Sequence, residues 1–457
     1  MLKKWLTKIL PTATSPTNKR PKPIATPFII PREDHPISRR HISDGALKVI
    51  AKLRSAGFSA YLVGGSVRDL LLGKRPKDFD VATDATPEQI RDQFRNSTII
   101  GRRFRIVHVR FGREVIEVTT FRGDHDDDSS GKAAVKHETG MLLRDNVFGG
   151  TIEEDARRRD FTVNAMYYTT EDFAVYDYCH GMADLKAKLI RLIGDPETRY
   201  REDPVRMLRA VRFASKLHFT IEQHTGESIH TLGHLLRNIA PARLFDEMLK
   251  LFLSGHAVAT FRLLQQYQLF QHLFPATSAA LIAHPEQVAL LEQALANTDE
   301  RLAAEKTVTP AFLFGALLWP ALQHAFNQLQ KDGVPDMPAL QQAATNVIHR
   351  QLQTIAIPRR FSLPMREIWD LQWRLPNRSP RRAENLFNHP RFRAAYDFLL
   401  LRQQSGENLK DLCDWWTAYQ HANQDNRVVM SHEERETSDA PIRKRRRPRR
   451  RKPPAAN

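Results

Sequence analysis

The stretch over residues 64–80 constrains the fold of this chain more than any other part of its sequence. The six residues before it carry aromatic and β-branched side chains, which favours a short strand. The pair Gly64 and Gly65 then allows a tight turn in which the backbone can approach a ligand without a Cβ in the way. Ser66 is predicted to cap a helix over residues 67–72. The sequence therefore predicts a strand, a glycine turn and a short helix in immediate succession.

A second strand is predicted over residues 77–82, and it places two acids on one face. Successive side chains of a strand point to opposite faces, so Asp78 and Asp80 project together while Phe79 faces the core. Two carboxylates on one strand face can share a pair of Mg²⁺ ions, and those ions can bind a triphosphate presented by the glycine turn. Asp78 and Asp80 are therefore predicted as catalytic residues and metal ligands.

The whole stretch closely resembles motif A of the class II nucleotidyltransferases. This family belongs to the polymerase-β superfamily and contains the tRNA CCA-adding enzymes and the bacterial poly(A) polymerases. The resemblance implies an α+β fold: a polymerase-β-like nucleotidyltransferase head with a small mixed sheet, followed by an all-α neck and body. It also implies two Mg²⁺ ions as cofactors and ATP as substrate. Gly64, Gly65 and Arg68 are then expected to bind the nucleotide.

A second match to the family begins at Arg159 and is similar to motif B. The resemblance implies that Asp160 belongs to the active site and that Arg159 and Asn164 contact the sugar and phosphates. Glu117 lies on a strand predicted over residues 114–120, which forms a hairpin with a strand over 106–111. Because such active-site sheets place acids on neighbouring strands, Glu117 is an alternative third carboxylate. The sequence leaves open whether Asp160 or Glu117 has that role.

Residues 201–214 resemble motif D of the family, with Asp203 and Arg206 as the pair that reads the base. A carboxylate accepts a hydrogen bond from an exocyclic amine, and an arginine donates to a neighbouring ring nitrogen. Adenine and cytosine offer that pattern, whereas guanine and uracil offer the reverse. Asp203 and Arg206 are therefore predicted to select ATP and CTP without choosing between them. The alternative interpretation is a helix cap with an i,i+3 ion pair.

The rest of the chain divides by composition and periodicity. Residues 177–191 resemble motif C, a hinge in which Gly181 is expected to supply flexibility. From about residue 220 to 421 the pattern is helical, with breaks at prolines. The expected domains are a flexible arm at 1–40, a catalytic nucleotidyltransferase head at 41–170, a helical neck with base recognition at 171–260, a helical RNA-binding body at 261–425 and a disordered basic tail at 426–457.

The charge of the chain favours a polyanionic partner, because lysine and arginine exceed aspartate and glutamate by 17. Nine of the basic residues lie at positions 443–452. A second basic stretch at 359–393 contains interleaved aromatic residues, a composition typical of contact with single-stranded RNA. These aromatic residues are Phe361, Trp369, Trp373 and Phe392. The alternative is a tryptophan core under a basic face, which is the interpretation preferred for Trp415 and Trp416.

Other features indicate the setting in which the chain works. Cys179 and Cys413 are the two cysteines of the chain, which is consistent with a reducing, cytoplasmic environment. The longest apolar run, at 311–319, is too short to span a membrane. A monomer is the default expectation. The expected partners are RNA 3′ ends, mainly single-stranded, and ATP, and the resemblance also implies partners in the RNA-decay machinery.

Residues 99–109 resemble the corresponding segment of bacterial poly(A) polymerases more than that of CCA-adding enzymes. The expected function is the template-independent addition of AMP from ATP to RNA 3′ ends, with release of pyrophosphate, which marks RNA for decay. A CCA-adding tRNA nucleotidyltransferase is the alternative within the family. A non-catalytic RNA-binding protein on the same scaffold is a second alternative, which the intact set of acids disfavours.

Overall fold

The computed structural model describes residues 26–101, 105–123, 135–136, 142–143 and 147–438, with the backbone alone for some of the short strands and for 433–438. The chain forms two compact units, Met1–Leu232 and Gly233–Asn457. The basic run at 443–452, the first 25 residues of the expected arm and the acidic segment at 124–131 lie outside the described residues.

The described strands of the N-terminal unit are short. In chain order they are β1 (Phe28–Ile30), β2 (Ala60–Val63), β3 (Asp80–Thr83), β4 (Ser97–Ile100), β5 (Ile106–Phe111), β6 (Glu114–Thr120), β7 (Arg122–Gly123), β8 (Val135–Lys136), β9 (Leu142–Leu143), β10 (Val147–Phe148), β11 (Met166–Tyr168), β12 (Val175–Asp177), β13 (Leu189–Ile190) and β14 (Thr220–Ile221).

Eight of these strands form one sheet in the order β1-β12-β11-β2-β3-β6-β5-β4. Neighbouring strands are antiparallel except β3 and β6, which are parallel and pair Asp80 with Glu117. The predicted hairpin has the expected bounds, since β5 and β6 pair across the turn at Gly112. The mixed sheet confirms the expected fold class of the head.

Eight helices are described in the N-terminal unit. They are α1 (Asp44–Ser55), α2 (Gly65–Leu71), α3 (Pro87–Gln93), α4 (Ile152–Arg158), α5 (Gly181–Ala187), α6 (Pro196–Glu202), α7 (Val205–Leu217) and α8 (Gln223–Leu232). Local capping signals fix several of their starts. Ser43 caps α1, and Thr86 and Gln89 form a reciprocal capping box on α3.

The described part of the C-terminal unit is helical, as its sequence predicts. Its helices are α9 (Pro241–Phe252), α10 (Ala257–Gln266), α11 (Phe270–Leu273), α12 (Pro275–Ala283), α13 (Val288–Ala303), α14 (Pro310–Leu317), α15 (Trp319–Lys331), α16 (Asp336–Leu352), α17 (Arg359–Arg374), α18 (Pro380–Phe387), α19 (Phe392–Gln404), α20 (Lys410–His421) and α21 (Gln424–Ser438). Prolines open several of them because proline tolerates the first helical turn. Across the described ranges, we find no helix with the length and apolar character that a bilayer crossing requires.

Two of the expected chain segments are different in the structure. Residues 28–30 are not part of a mobile arm, because β1 pairs with β12 and forms one edge of the main sheet. The head sheet therefore extends to Asp177, beyond the expected boundary at residue 170. At the other end, residues 426–438 are not disordered, since α21 continues to Ser438.

The aromatic residues of the basic stretch are mostly core residues, so the prediction that they stack on bases is wrong for Trp369 and Phe392. Trp369 is completely buried and Phe392 is 5% exposed. The ring of Phe361 stacks on Phe245 with centroids 6.0 Å apart. Trp416 is buried, which confirms the core assignment, and Trp415 packs against it edge to face.

Candidate active site

The glycine turn places the backbone directly against an acid. Gly64 has φ +76° and precedes α2, which begins at Gly65 and not at residue 67. The hydroxyl of Ser66 donates to the Val63 carbonyl at 2.8 Å, so the prediction that Ser66 caps the helix is wrong. A Cβ at Gly64 would lie 3.4 Å from Asp80 Oδ2 and 3.7 Å from Arg159 Nη1. The missing side chain therefore leaves the space between the turn and these two groups.

The predicted alternation of Asp78 and Asp80 along one strand is wrong. β3 begins at Asp80, opposite Val63, because β2 ends there and offers no partner to earlier residues. Asp78 lies in a bend just before the strand and is exposed. Phe79 is 7% exposed and faces the core, as expected. The two carboxylates are near one another through the bend and not through strand geometry.

Glu117 stands next to Asp80 on the neighbouring strand. The two residues are paired in the parallel β3–β6 register. The pKa of Asp80 is raised to about 6, mainly by burial and further by the charges of Glu117 and Asp78, whereas Arg159 opposes the rise. On the other side of Glu117, His108 Nε2 lies 3.4 Å from its Oε1. Asp80 is therefore a partly buried acid with two acidic neighbours and one compensating arginine.

This arrangement has the character of a Mg²⁺ site that the substrate completes. Within the described ranges, no group of three or more histidine, cysteine or acidic side chains is arranged to hold a metal ion alone. Magnesium commonly uses one or two carboxylates together with water and substrate phosphates, so a full protein cage is not needed. Repulsion from neighbouring acids contributes to the raised pKa of Asp80, which shows that the cluster carries excess negative charge. A divalent cation bound there would neutralise that charge. The residues therefore fit a metal shared with a triphosphate.

Asp160 is used differently from Asp80. Its carboxylate accepts hydrogen bonds from Arg209 Nε at 2.7 Å and from the Phe161 N–H at 2.8 Å. Burial alone would raise the pKa of Asp160, but Arg209 and these hydrogen bonds outweigh it and the pKa is lowered. The Asp160–Arg209 pair joins the segment after α4 to α7.

Arg159 is held by two buried side chains that the motifs did not indicate. Its Nε donates to Asp155 Oδ2 at 3.1 Å and to the Tyr167 hydroxyl at 2.9 Å. Tyr167 in turn donates to Asp155 at 2.6 Å. Burial raises the pKa of Tyr167 well above its usual value, so the hydroxyl remains a neutral donor. Asp155 and Tyr167 thus fix the direction of a guanidinium that lies beside Gly64.

Arg68 and Asn164 are also turned inward. Arg68 is 2% exposed and donates to Asn164 Oδ1 at 2.6 Å and to Asp69 Oδ1 at 2.7 Å. Asn164, 6% exposed, donates weakly to Asp160 at 3.5 Å. The helix after the glycine turn is thereby tied to the segment that carries Asp160.

The junction of α6 and α7 holds the predicted base-reading pair. Asp203 follows α6 directly, and its carboxylate accepts from the Val205 N–H at 3.2 Å. Arg206 donates to Glu202 Oε2 at 3.0 Å and to the Arg199 carbonyl at 2.7 Å. Arg199 shares the same Glu202 carboxylate at 2.8 Å. Glu202 therefore orients the arginine, a role that its i,i+4 spacing from Arg206 could have indicated.

Gly181 is required for packing, and the expectation that it supplies flexibility is wrong. A Cβ at this position would lie 2.3 Å from the Thr162 carbonyl oxygen, which is impossible without movement of the backbone. The N–H groups of Gly181 and Met182 donate to the buried Asp177 carboxylate at 2.9 Å. The segment that resembles motif C is thus a tightly packed connection.

Family profiles match most of the chain in three consecutive parts. The profile described as the poly A polymerase head domain matches residues 60–191. The profile described as the probable RNA and SrmB-binding site of polymerase A matches residues 218–281. The profile described as the polymerase A arginine-rich C-terminus matches residues 332–452.

Among structural neighbours, a CCA-adding enzyme solved with CTP superposes with a TM-score of 0.59 at 18% identity, covering 89% of this chain and 90% of that one. The Bacillus stearothermophilus CCA-adding enzyme in complex with CTP gives a TM-score of 0.55 at 26% identity over 81% of this chain and 80% of that one. These neighbours share the fold of this chain.

Sequence relatives decide between the members of this fold. The chain is 50% identical to poly(A) polymerase I of Salmonella typhimurium over 93% of its own length and 92% of the relative's. By comparison, it is 38% identical to the CCA-adding enzyme of Lactobacillus helveticus over 49% of its length and 53% of the relative's. The chain therefore belongs to the poly(A) polymerase family of nucleotidyltransferases.

Proposed function

We propose that this chain adds AMP from ATP to the 3′ ends of RNA without a template and releases pyrophosphate. The observation that carries the proposal is the Asp80 carboxylate, which lies partly buried beside the Gly64 turn, is paired in register with Glu117 and has its pKa raised to about 6. Such a cluster is built for a cation and a phosphate chain. Family membership makes RNA the acceptor and ATP the donor.

Asp78 and Asp80 would hold the Mg²⁺ ions together with the triphosphate. When bound, Mg²⁺ lowers the pKa of the attacking 3′-hydroxyl and neutralises charge on the phosphates. The chain's own residues position the substrate around them. The Gly64 turn lets the backbone approach the phosphates, and Arg159 supplies a positive charge whose direction Asp155 and Tyr167 fix.

Glu117, and not Asp160, is our assignment for the third carboxylate. Glu117 is one of the groups that raise the pKa of Asp80, as expected for an acid of the same cluster. Asp160 already accepts from Arg209 and the backbone, which leaves it a positioning residue. By the same reasoning, buried Arg68 and Asn164 position the glycine turn instead of touching the nucleotide directly.

For base recognition we retain Asp203 and Arg206. The carboxylate and guanidinium suit the amine and ring nitrogen shared by adenine and cytosine. Glu202 and the Arg199 carbonyl hold Arg206 by hydrogen bonds, which favours a fixed reading geometry. The pair is expected to exclude GTP and UTP, and the choice of ATP over CTP requires other residues.

The cellular setting belongs to the same proposal. Both cysteines are buried and unpaired, which is consistent with the reducing cytoplasm. We propose that the chain acts as a monomer on single-stranded RNA ends. The tails would mark RNA for decay, with the decay machinery as a partner.

A primer-extension assay tests the activity. Purified protein, Mg²⁺ and an unstructured RNA primer are combined with each nucleoside triphosphate separately, and product length is read on a gel. A long ladder with ATP alone is the expected result. Arrest after one to three additions, with CTP also used and tRNA preferred, would identify a CCA-adding enzyme instead.

The catalytic assignment is tested in the same assay by Asp80→Ala. This variant should lose nucleotide addition while its affinity for the primer remains nearly unchanged, because the acid holds metal and not RNA. If the wild-type protein adds no nucleotide, with or without Mg²⁺, and still binds RNA, the non-catalytic alternative would be favoured.

A further inference from the structure

A cavity of about 260 Å³ lies in the C-terminal unit beside the end of α17 and along α18. Its lining combines an aromatic ring, two guanidiniums, two amides and a leucine: Trp373, Arg374, Asn377, Arg382, Asn385 and Leu386. The last three share one face of α18, because they are spaced three and four residues apart. No acid is among these lining residues.

The two guanidiniums of this cavity are not held in ion pairs with described residues. Among the described residues, no ion pair joins Arg374 or Arg382 to a carboxylate, and both side chains are exposed. Asp370 lies one helical turn before Arg374 and interacts with it electrostatically, without a hydrogen bond. Two like charges that face one cavity repel each other, and an anion between them relieves that repulsion. Arginine is also the side chain whose fork geometry best fits phosphate.

The apolar part of the cavity lining is rigid. Leu386 is 2% exposed, and the half-buried Trp373 ring packs against Phe326 with centroids 5.0 Å apart and against Trp319 at 5.5 Å. A tryptophan fixed in this way offers its remaining surface to a planar ring without further loss of side-chain entropy. Phosphate-binding and base-binding surfaces therefore occur in one cavity.

The amides add a hydrogen-bonding edge. Asn385 makes no hydrogen bond to another side chain or backbone group in the part of the chain that the structure describes, and it is exposed. Asn377 accepts from the Ser379 hydroxyl at 3.0 Å, which leaves its amino group directed elsewhere. An asparagine amide presents a donor beside an acceptor, and this pattern complements the N6 amine and N7 of adenine.

We propose that this cavity binds one adenylate of a single-stranded RNA, with its phosphate at Arg374 and Arg382 and its base against Trp373. The proposal rests on the proposed function, which produces the adenylate strand that the cavity would hold. Arg381 is exposed next to the cavity and extends the positive surface, which suits a continuous strand better than a free nucleotide. The cavity would then retain the growing tail, and affinity for the RNA would rise once adenylates have been added.

The test measures binding of labelled oligo(A) to the full-length chain, with neither ATP nor Mg²⁺ present. The double variant Arg374→Gln/Arg382→Gln should weaken binding by about tenfold and reduce the logarithmic salt slope by about 0.7, as expected when one phosphate of a single strand is no longer neutralised. The matched control is Arg391→Gln/Arg393→Gln, which removes the same charge from arginines that are paired with Glu367 and Asp397. That control should weaken binding by less than about twofold. Equal losses in the two variants, or no loss in the first, would overturn the proposal.

Recognition of the base is tested with Asn385→Ala. This variant should lose affinity for oligo(A) while oligo(U) binding changes little; equal losses for both would overturn the assignment of the base. Displacement of oligo(A) by AMP at equal nucleotide concentration would assign the cavity to a free nucleotide and overturn the strand assignment.

The two proposals fail in different experiments. Primer extension by the wild-type protein is measured separately from oligo(A) binding. An inactive chain whose binding still depends on Arg374 and Arg382 would contradict the proposed function alone. If the chain is active and its oligo(A) binding does not depend on Arg374 and Arg382, only the proposal for the cavity would be contradicted.

Discussion

When no cation is bound, the ionised form of Asp80 lowers the stability of the folded protein. Its carboxylate is partly buried, and Glu117 and Asp78 add repulsion, so its pKa rises to about 6. A group whose pKa is higher in the folded state than in the unfolded state takes up its proton earlier in the folded state. At neutral pH the charged form therefore destabilises the folded protein, and the penalty fades as the pH falls towards the unfolded pKa.

We expect Asp80→Asn to stabilise the metal-free protein at about pH 7.5 by about 1–3 kcal/mol, because it removes that charge. Below about pH 3 the carboxyl is protonated in both states, so the difference between variant and wild type should disappear. Urea unfolding in the presence of a chelator, at several pH values, measures the difference in free energy of unfolding between the variant and the wild type.

The control is Asp78→Asn, an exposed change that should alter the free energy of unfolding by less than about 0.5 kcal/mol. Added Mg²⁺ should stabilise the wild type and not Asp80→Asn, since a ligand stabilises only the state that binds it. A pH-independent gain would contradict the electrostatic explanation.

The two candidate third carboxylates should respond in opposite ways. Glu117→Gln is expected to reduce the addition rate by about a hundredfold with little loss of stability, because it removes charge from the Asp80 cluster. Asp160→Asn should lower the free energy of unfolding by about 1–3 kcal/mol, since the charged Asp160–Arg209 ion pair at a partly exposed site is lost. Parallel rate and thermal-melting measurements would show the reverse pattern if Asp160 were the third acid.

At the scale of elements, the sequence predicts features that neighbouring residues determine. It does not predict features that depend on contacts between distant segments. The capping box of Thr86 and Gln89 and the β5–β6 hairpin both follow from neighbouring residues, and the sequence predicts the hairpin with the observed bounds. The start of β3 depends on where β2 ends, so the sequence around Asp78 alone could not reveal it. The Asp160–Arg209 pair joins residues 49 positions apart, and no motif spacing encodes such a contact.

The glycine turn gives an element-scale prediction. Gly64→Ala should destabilise the protein by about 1–3 kcal/mol, because φ +76° with ψ −138° is unfavourable for a residue with a Cβ. It should also reduce nucleotide addition, since the new methyl group would occupy the space beside Asp80 and Arg159.

Gly73→Ala is the matched control for this change. Gly73 has φ +70°, yet a Cβ there would meet nothing within 4 Å. Its variant should lose comparable stability and retain the addition rate at saturating substrate. Equal loss of rate in both variants would mean that strain alone, and not the space beside Asp80, reduces activity.

At the scale of the whole molecule, positive charge is concentrated near the C-terminal end of the sequence. Of the net +17, nine basic residues lie at positions 443–452, and the composition of the sequence sufficed to predict a polyanionic partner. Composition could not separate core aromatics from surface ones, because Trp369 and Phe392 sit among exposed arginines and are nevertheless buried.

Removal of residues 441–457 should weaken RNA binding and flatten its dependence on salt, by up to about six units of logarithmic slope if all nine cations contact phosphates. Addition at saturating RNA should persist, because the catalytic acids are unaffected. Binding titrations across a range of salt concentrations measure the slope, with a glycine-serine tail of equal length as the control. An unchanged slope would exclude this segment from RNA binding.

The pairing of β1 with β12 has a consequence for the order in which the head is completed during translation. Phe28 pairs with Asp177, so about 150 residues must be synthesised after the first strand before its partner exists. At typical rates of 5–20 residues per second, this delay is about 7–30 s. The nascent chain must therefore keep an apolar segment, Phe28–Ile30, unpaired near the ribosome until the sheet can close on it.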